Sequence, residues 1–249
     1  MSSLINYLLH LADNTLILSQ RNSEWCGHGP VLEQDIAITN ISLDLLGQAR
    51  NLYSYAAALI GGEATEDSLA YLRKEREFKN CLLVEMPNGD WGQTILRQYL
   101  FSQYQYPLYQ QLLQSKDAQL AAIAEKSIRE VAYHLRWSSE WVIRLGDGTD
   151  ESHRRMLKAI EEIWACTGEL FQPADFEKEL QQQGIAADLE KIKQEWNSKC
   201  MAIFEEAGLP LPSNVFMQTG GKQGVHTEQM GYILAELQYM QRAYPGAKW

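Results

Sequence analysis

The chain has 249 residues, 45% hydrophobic and 22% charged, with 22 Lys and Arg against 32 Asp and Glu, a formal charge of −10. This balance suits a folded soluble protein with a sizeable core and excludes intrinsic disorder. It also excludes nucleic acid and anionic membranes as partners held by a general positive field, because no run of Lys or Arg supplies one.

Helical periodicity dominates and strand-type alternation is nearly absent. The first predicted helix spans about residues 3–20 and puts Leu4, Leu8, Leu11, Thr15 and Leu18 on one stripe. Its opening residues carry no basic segment and no small-residue cleavage site, so no targeting peptide is expected and the address is cytoplasmic. A second helix starts at Pro30, whose missing N–H would be an orphan there anyway, and runs to about Ile60 before Gly61-Gly62. At 1.5 Å per residue that is ~45 Å, a length that points to a helix bundle.

Thr65-Glu66-Asp67 opens a shorter helix toward Asn80, and Pro87-Asn88-Gly89 reads as a turn. Asp90 then caps a long helix, with Gln93 three residues on to close a capping box, and Pro107 is expected to kink it. The uncharged stretch from Gln98 to Ser115 has the length of a membrane span, but its six glutamines and Pro107 make it a soluble segment. Asp117 starts another helix, with a stripe through Leu120, Ser127, Val131, His134, Ser138, Trp141 and Leu145, ended by Gly146-Asp147-Gly148. Thr149-Asp150-Glu151 opens the next, which reaches about Phe171 before Pro173.

Helices at about 174–183 and 188–207 are more charged and are placed outside the main core. Leu209-Pro210-Leu211-Pro212 is extended, because proline disfavours helix in the residue before it. A Gly-rich loop at Thr219 to Gly224 precedes a last helix at about 227–243. The expectation is one all-α domain over residues 1–249, with a core bundle at about 3–171 and peripheral and C-terminal helices at about 174–243.

Gly220-Gly221-Lys222-Gln223-Gly224 lacks the Walker pattern and follows no strand, so it is read as a tight connection. There is no GxSxG nucleophile pattern. Cys26, Cys81, Cys166 and Cys200 form no CxxC pair and are read as free thiols. The aromatic run Tyr99, Phe101, Tyr104, Tyr106 and Tyr109, and then Tyr133, Trp137 and Trp141, lacks the basic groove a nucleic-acid platform needs and is assigned to packing.

Metal is the informative test, because a carboxylate-bridged di-iron site in a helix bundle uses Glu-x-x-His on two of its helices. Three positions before His10, His28, His134, His153 and His226 stand Tyr7, Trp25, Val131, Asp150 and Gln223, so the motif is absent. Asp150-x-x-His153 falls at a helix start and reads as a cap beside a solvated His. Glu24 and His28 lie in a turn, and His134, four residues after Glu130, sits on the apolar stripe as a hydrogen-bonded core residue.

Ser19 to Pro30, Leu43 to Arg50, Tyr133-His134-Leu135-Arg136-Trp137, the Gly146 to Thr149 turn, Thr219-Gly220-Gly221-Lys222 and Val225-His226-Thr227-Glu228 carry a resemblance. Over about Asp13 to Trp249 the sequence resembles the ferritin-like subunits of bacterial phenylacetyl-CoA epoxidase, and among them the non-catalytic one. The resemblance implies a ferritin-like long-helix bundle with additional C-terminal helices. It also implies a complex that epoxidises the aromatic ring of phenylacetyl-CoA with dioxygen in aerobic phenylacetate catabolism. In such a complex a related di-iron subunit does the chemistry and a small bridging subunit joins the assembly. A flavin and iron–sulfur reductase brings electrons from NADPH, and this chain holds no cofactor or metal of its own.

Laid on the motifs of the catalytic relative, the ligand positions fall at Glu24, Leu45, Gln48, Ser102, Val131 and His134. Only Glu24 and His134 keep a ligating group of the original kind. One carboxylate cannot neutralise two ferrous ions, and Leu45 and Val131 offer no lone pair. The old pocket is expected to be closed by packing, with Glu24 and His134 satisfying each other or a buried water.

The resemblance thus implies a scaffold, with Arg136, Trp137, Trp141, Arg144 and the Thr219 to Glu228 loop, Lys222 and His226 in it, as candidates for the partner face. The isolated chain is expected to self-associate through the bared surface. Two other readings stay open at this point: a metal-binding ferritin-like oxygenase or iron store with a different ligand set, and a homo-oligomeric acyl-CoA-binding module.

Overall fold

Ser2 opens the first helix by accepting the Ile5 N–H at its Oγ, 3.3 Å away, which satisfies one of the orphan donors of a helix start. The structure, a computed structural model, describes residues 2–247, so Met1, Lys248 and the Trp249 end of the resemblance lie outside the described residues. Among those described there are eleven α-helices and no strand, and no helix is long and apolar enough to cross a membrane. The chain divides into two compact units, Met1–Met86 with Gly220–Trp249, and Pro87–Thr219. The boundaries fall in the Pro87-Asn88-Gly89 turn and at the start of the Gly-rich loop.

In the first unit, α1 (Ser3–Ser23) and α2 (Leu32–Ile60) pack along each other as a hairpin. Ser19 Oγ donates to the Ser42 carbonyl at 2.7 Å near one end, and Tyr53 OH donates to Asp13 Oδ1 at 2.5 Å toward the other. Helix α2 begins at Leu32, because Val31 is extended at φ −148° and Pro30 stays in the turn. Gly61 ends it at φ 74°, a conformation that favours glycine. Thr65 and Ser68 form a reciprocal capping box for α3 (Glu66–Tyr71).

That helix stops well short of Asn80. Beyond Leu72 the backbone turns so that Arg73 enters the core, and only a 3-10 turn at Glu75–Glu77 follows. The short α4 (Leu82–Glu85), then α10 (Glu228–Leu237) and α11 (Tyr239–Ala243) complete the unit. Thr227 caps α10, one residue from the expected start.

The Gly-rich loop is a 3-10 turn at Gly221–Gln223, closed by Gly224 at φ 79°. A Cβ on Gly224 would lie 2.2 Å from the Arg76 carbonyl oxygen, a backbone atom that cannot swing aside. Gly224→Ala is therefore expected to cost about 3 kcal/mol, from left-handed strain and the clash together. Thermal unfolding checks this, and an unchanged midpoint would contradict it.

In the second unit, Asp90 Oδ1 accepts the Gln93 N–H at 3.0 Å to start α5 (Trp91–Leu112). The reciprocal half of the expected capping box does not form, because the Gln93 side-chain amide donates instead to the Pro87 carbonyl at 3.0 Å. The helix runs unbroken through Pro107. Helix α6 (Ala118–Gly146) starts at Asp117 as expected.

The buried face of α6 ends on Trp137, Ser138, Val142 and Gly146, and Trp141 and Leu145 are only half-buried. The predicted stripe kept a 3.5-residue step, and an α-helix drifts against such a step by ~20° per heptad, enough to carry the last two turns off the core. Helix α7 (Asp150–Ile163) continues as two 3-10 turns, Trp164–Cys166 and Gly168–Phe171, rather than as α-helix to Phe171.

Helices α8 (Asp175–Gln182) and α9 (Leu189–Glu206) follow. Despite its charge, α9 is a core element of this unit: Leu189, Ile192, Trp196, Cys200 and Phe204 form one buried stripe. Trp196 donates its indole N–H to the Leu100 carbonyl at 3.0 Å and meets Phe171 edge-on at 5.2 Å and Trp164 at a tilt at 5.6 Å. Average composition hides such a stripe, because the charges sit on the other face.

Candidate functional site

The former ligand positions divide between the units. In the first, Leu45 and Gln48 are buried on α2, while Glu24 is the exposed C-cap of α1. Its Oε1 accepts from Arg21 Nη1 at 2.9 Å, an ion pair between neighbouring turns of the same helix end. In the second unit, Ser102, Val131 and His134 are all fully buried. Ser102 Oγ accepts from Gln98 Nε2 at 2.8 Å.

The donor chemistry does not fit a di-iron centre. Leu45 and Val131 offer hydrocarbon, Gln48 and Ser102 are neutral, and the one carboxylate is committed to a guanidinium. Among the described residues no group of three or more His, Cys, Asp or Glu is placed to hold a metal ion. Burial pushes the Cys200 thiol up to about 12, which keeps it protonated and poorly nucleophilic.

The partner-face candidates separate in the same way. Arg136 and Arg144 are exposed on α6, stacked at 5.8 Å on Tyr133 and 5.4 Å on Trp141. Trp137 is buried, edge-on to Trp91 at 6.1 Å. Lys222 and the side chain of His226 are buried as well. The 3.6-residue period turns Trp137 inward, and the His226 side chain packs on Glu85 and Phe78 within the first unit. His153 is not solvated either. It is half-buried, its Nδ1 lies 2.7 Å from the Gly146 carbonyl, and Thr149, not Asp150, is the cap.

What the sequence left unread is a pair of buried ionic networks in the first unit. Glu85 Oε2 lies 2.8 Å from His226 Nδ1 and accepts from Asn80 Nδ2 at 2.9 Å, while Oε1 accepts the Thr227 N–H at 2.6 Å. His226 Nε2 lies 3.1 Å from the Phe78 carbonyl. Both ring nitrogens thus face acceptors, an arrangement that favours the doubly protonated ring. Burial opposes that charge, but the Glu85 hydrogen bond and charge more than offset it and hold the His226 pKa above its ordinary value. Arg21 ties in from α1, donating from Nε and Nη2 to the Glu85 carbonyl, each at 3.1 Å, and from Nη2 to Gln229 Oε1 at 3.0 Å.

The second network centres on Asp13, fully buried on α1. It accepts from both terminal nitrogens of Arg73, from Tyr53 OH and, at 2.7 Å, from the Lys79 N–H. Asp13 falls opposite the predicted stripe, between the equally apolar Leu9, Leu16 and Ile17, and that second apolar face was the signal in the sequence that could have announced it. The networks join α1, α2, α3, α4 and the loop before α10, which makes them structural clamps without a solvent-facing reactive group.

The family model described as "Phenylacetic acid catabolic protein" matches residues 1–249. The chain is also 50% identical, over 249 residues covering 100% of both sequences, to a subunit of the 1,2-phenylacetyl-CoA epoxidase of Escherichia coli (strain K12). With that match across its whole length, the chain belongs to the phenylacetic acid catabolic protein family.

Proposed function

We propose that this chain is the structural, non-catalytic subunit of a multicomponent phenylacetyl-CoA epoxidase in aerobic phenylacetate degradation, acting in the cytoplasm. Its role is to stabilise a di-iron catalytic subunit, in an assembly that also holds a small bridging subunit and draws electrons from NADPH through a flavin and iron–sulfur reductase. The relative's name supports the complex. The observation that carries the non-catalytic part is the donor set: two of the six positions are hydrocarbon, two are neutral, Glu24 is exposed on Arg21, and His134 is the one ligating group left buried. Creating a buried di-cation there would cost several kcal/mol per unpaired charge with nothing to offset it. Ferritin-like architecture belongs to this reading, since each unit supplies a pair of long helices, α1 with α2 and α5 with α6.

The test is metal analysis of the chain purified from iron-rich medium, beside the chain co-expressed with the di-iron subunit. Substoichiometric iron in the chain alone, with ring epoxidation only when both are present, is expected. A stoichiometric pair of irons in the isolated chain, or epoxidation by it alone, would refute the reading.

A further inference from the structure

Asn88 is the one asparagine in the sequence that glycine follows, and the pair lies in the connection before α5, where the backbone is in no helix. Glycine leaves its own amide nitrogen unhindered, so at such a step that nitrogen can reach the side-chain carbonyl carbon of the residue before it. Gly89 is exposed, and its N–H donates to no group among the described residues. It stands at φ 57°, and a Cβ there would meet Gln93 Oε1 at 2.4 Å, so the fold favours glycine at this position. The amide it faces is held from the other side. Asn88 Oδ1 accepts from Arg97 Nη2 at 2.6 Å. Thr94 Oγ1 lies 3.0 Å from the Asn88 main-chain carbonyl oxygen and 3.3 Å from Oδ1, so its one proton is shared between them. Thr94 and Arg97 have no exposure to water, which fixes both donors in place.

A guanidinium and a hydroxyl fixed on one carbonyl oxygen are the donor set of an oxyanion hole. We propose that Asn88 is a self-modification site, where the fold itself promotes deamidation through a succinimide. The Gly89 nitrogen gives its proton to hydroxide and bonds to Asn88 Cγ, which puts a negative charge on Oδ1. The Arg97 contact strengthens as that charge develops, because both partners are then ionised. The tetrahedral centre collapses, the Cγ–Nδ2 bond breaks, and the side-chain nitrogen leaves as ammonia after taking a proton from water. Either imide carbonyl then takes up water and its bond to the ring nitrogen breaks, which leaves aspartyl or isoaspartyl at position 88. In sum, water is consumed, ammonia is released, the chain gains one negative charge, and nothing is oxidised or reduced. The aspartyl product presents a carboxylate to Arg97, while the isoaspartyl product lengthens the main chain by one carbon just ahead of α5.

Deamidation of the full chain, folded and unfolded in guanidinium chloride at one mildly alkaline pH and temperature, tests this by ammonia release and by mass mapping of the peptide that holds Asn88. The folded chain is expected to react at Asn88 several-fold faster than the unfolded one. A fold that merely restrained the segment would slow the reaction, so acceleration has its source in the placed donors. Arg97→Gln should slow the folded reaction on the order of tenfold, less than one oxyanion donor is worth in a closed enzyme site because Asn88 is half-exposed. Thr94→Val keeps the shape without the hydroxyl and should slow it several-fold. Neither variant should change the rate in the unfolded chain. A folded chain that reacts no faster than the unfolded one would overturn the proposal, and so would a folded Arg97→Gln as fast as the parent. Where Arg97→Gln does not fold, Thr94→Val decides: an unchanged ratio of folded to unfolded rates overturns the proposal, and a reduced ratio supports it. These rates are read on the chain alone, so they stand apart from the epoxidase reading.

Discussion

Asp13→Ala is expected to remove about 3–5 kcal/mol of folding stability, one of the two largest losses for any single side-chain truncation in the first unit. The carboxylate has no exposure to water, and its partners are already fixed by it. Arg73 reaches it with both terminal nitrogens while its Nε donates to the Leu69 carbonyl and its Nη1 also donates to the Glu77 carbonyl at 2.9 Å. The guanidinium lies over Phe78 at 4.1 Å and Tyr53 at 5.4 Å, so rings wall it and it is largely buried. Removing Asp13 leaves that cation buried without its counter-charge.

Burial works against the Arg73 charge, and Asp13 and its neighbours still hold its pKa above the ordinary value, so deprotonation offers no escape. Tyr53→Phe deletes one neutral donor to the same carboxylate and should cost only about 1–2 kcal/mol. The double change Asp13→Leu with Arg73→Met should cost less than Asp13→Ala alone, because no charge is then stranded. Urea unfolding of the four proteins measures all of this. A loss below about 1 kcal/mol for Asp13→Ala would show that water reaches Arg73 and that the clamp is not what holds α3 to α1.

This clamp also shows what a sequence reading can and cannot reach. The long helices were legible because their apolar period and their caps agree: Asp117, Thr149 and Thr65 each accept from a backbone N–H where expected. The loss of ligand chemistry at Leu45 and Val131 was equally plain, because it depends on residue type alone. The end of α3 was not legible. Residues 72–80 carry reasonable helix formers, and what breaks the helix is Arg73 turning toward a carboxylate 60 positions away. A tertiary contact overrode local propensity there.

Glu24 pairs with Arg21, one turn before it on the same helix, a local contact that the i, i+3 spacing already offers. The inward turn of Trp137 and His226 needed helix phase and loop geometry, to which a motif is blind.

Stability should fall as pH rises above neutrality, and the Glu85–His226 pair should be the cause. The folded state holds the His226 pKa above its ordinary 6.5, so His226 is more readily protonated when folded than when unfolded. Its contribution is therefore fully present below about pH 6.5 and is lost as pH climbs through the raised folded value. Within that window the slope cannot exceed about 1.4 kcal/mol per pH unit, the limit for one proton.

Glu85→Gln keeps the shape and most of the hydrogen bonds but removes the counter-charge. Near pH 6 it should cost about 3 kcal/mol, and the slope attributable to His226 should flatten, because burial then favours the neutral ring. The loss should be local before it is global. Thr227 caps α10 and hydrogen-bonds Glu85, Asn80 donates to the same carboxylate, and Arg21 grips the Glu85 carbonyl and Gln229, so the loop and α10 are what the pair fastens to α1 and α4. Hydrogen exchange at the amides of residues 225–234 should accelerate with pH, beyond the intrinsic chemical rate, in the parent protein. In Glu85→Gln it should already be fast near pH 6. Urea midpoints and exchange rates that track pH identically in the two proteins would show that His226 is neutral in the fold and that this clamp carries no charge.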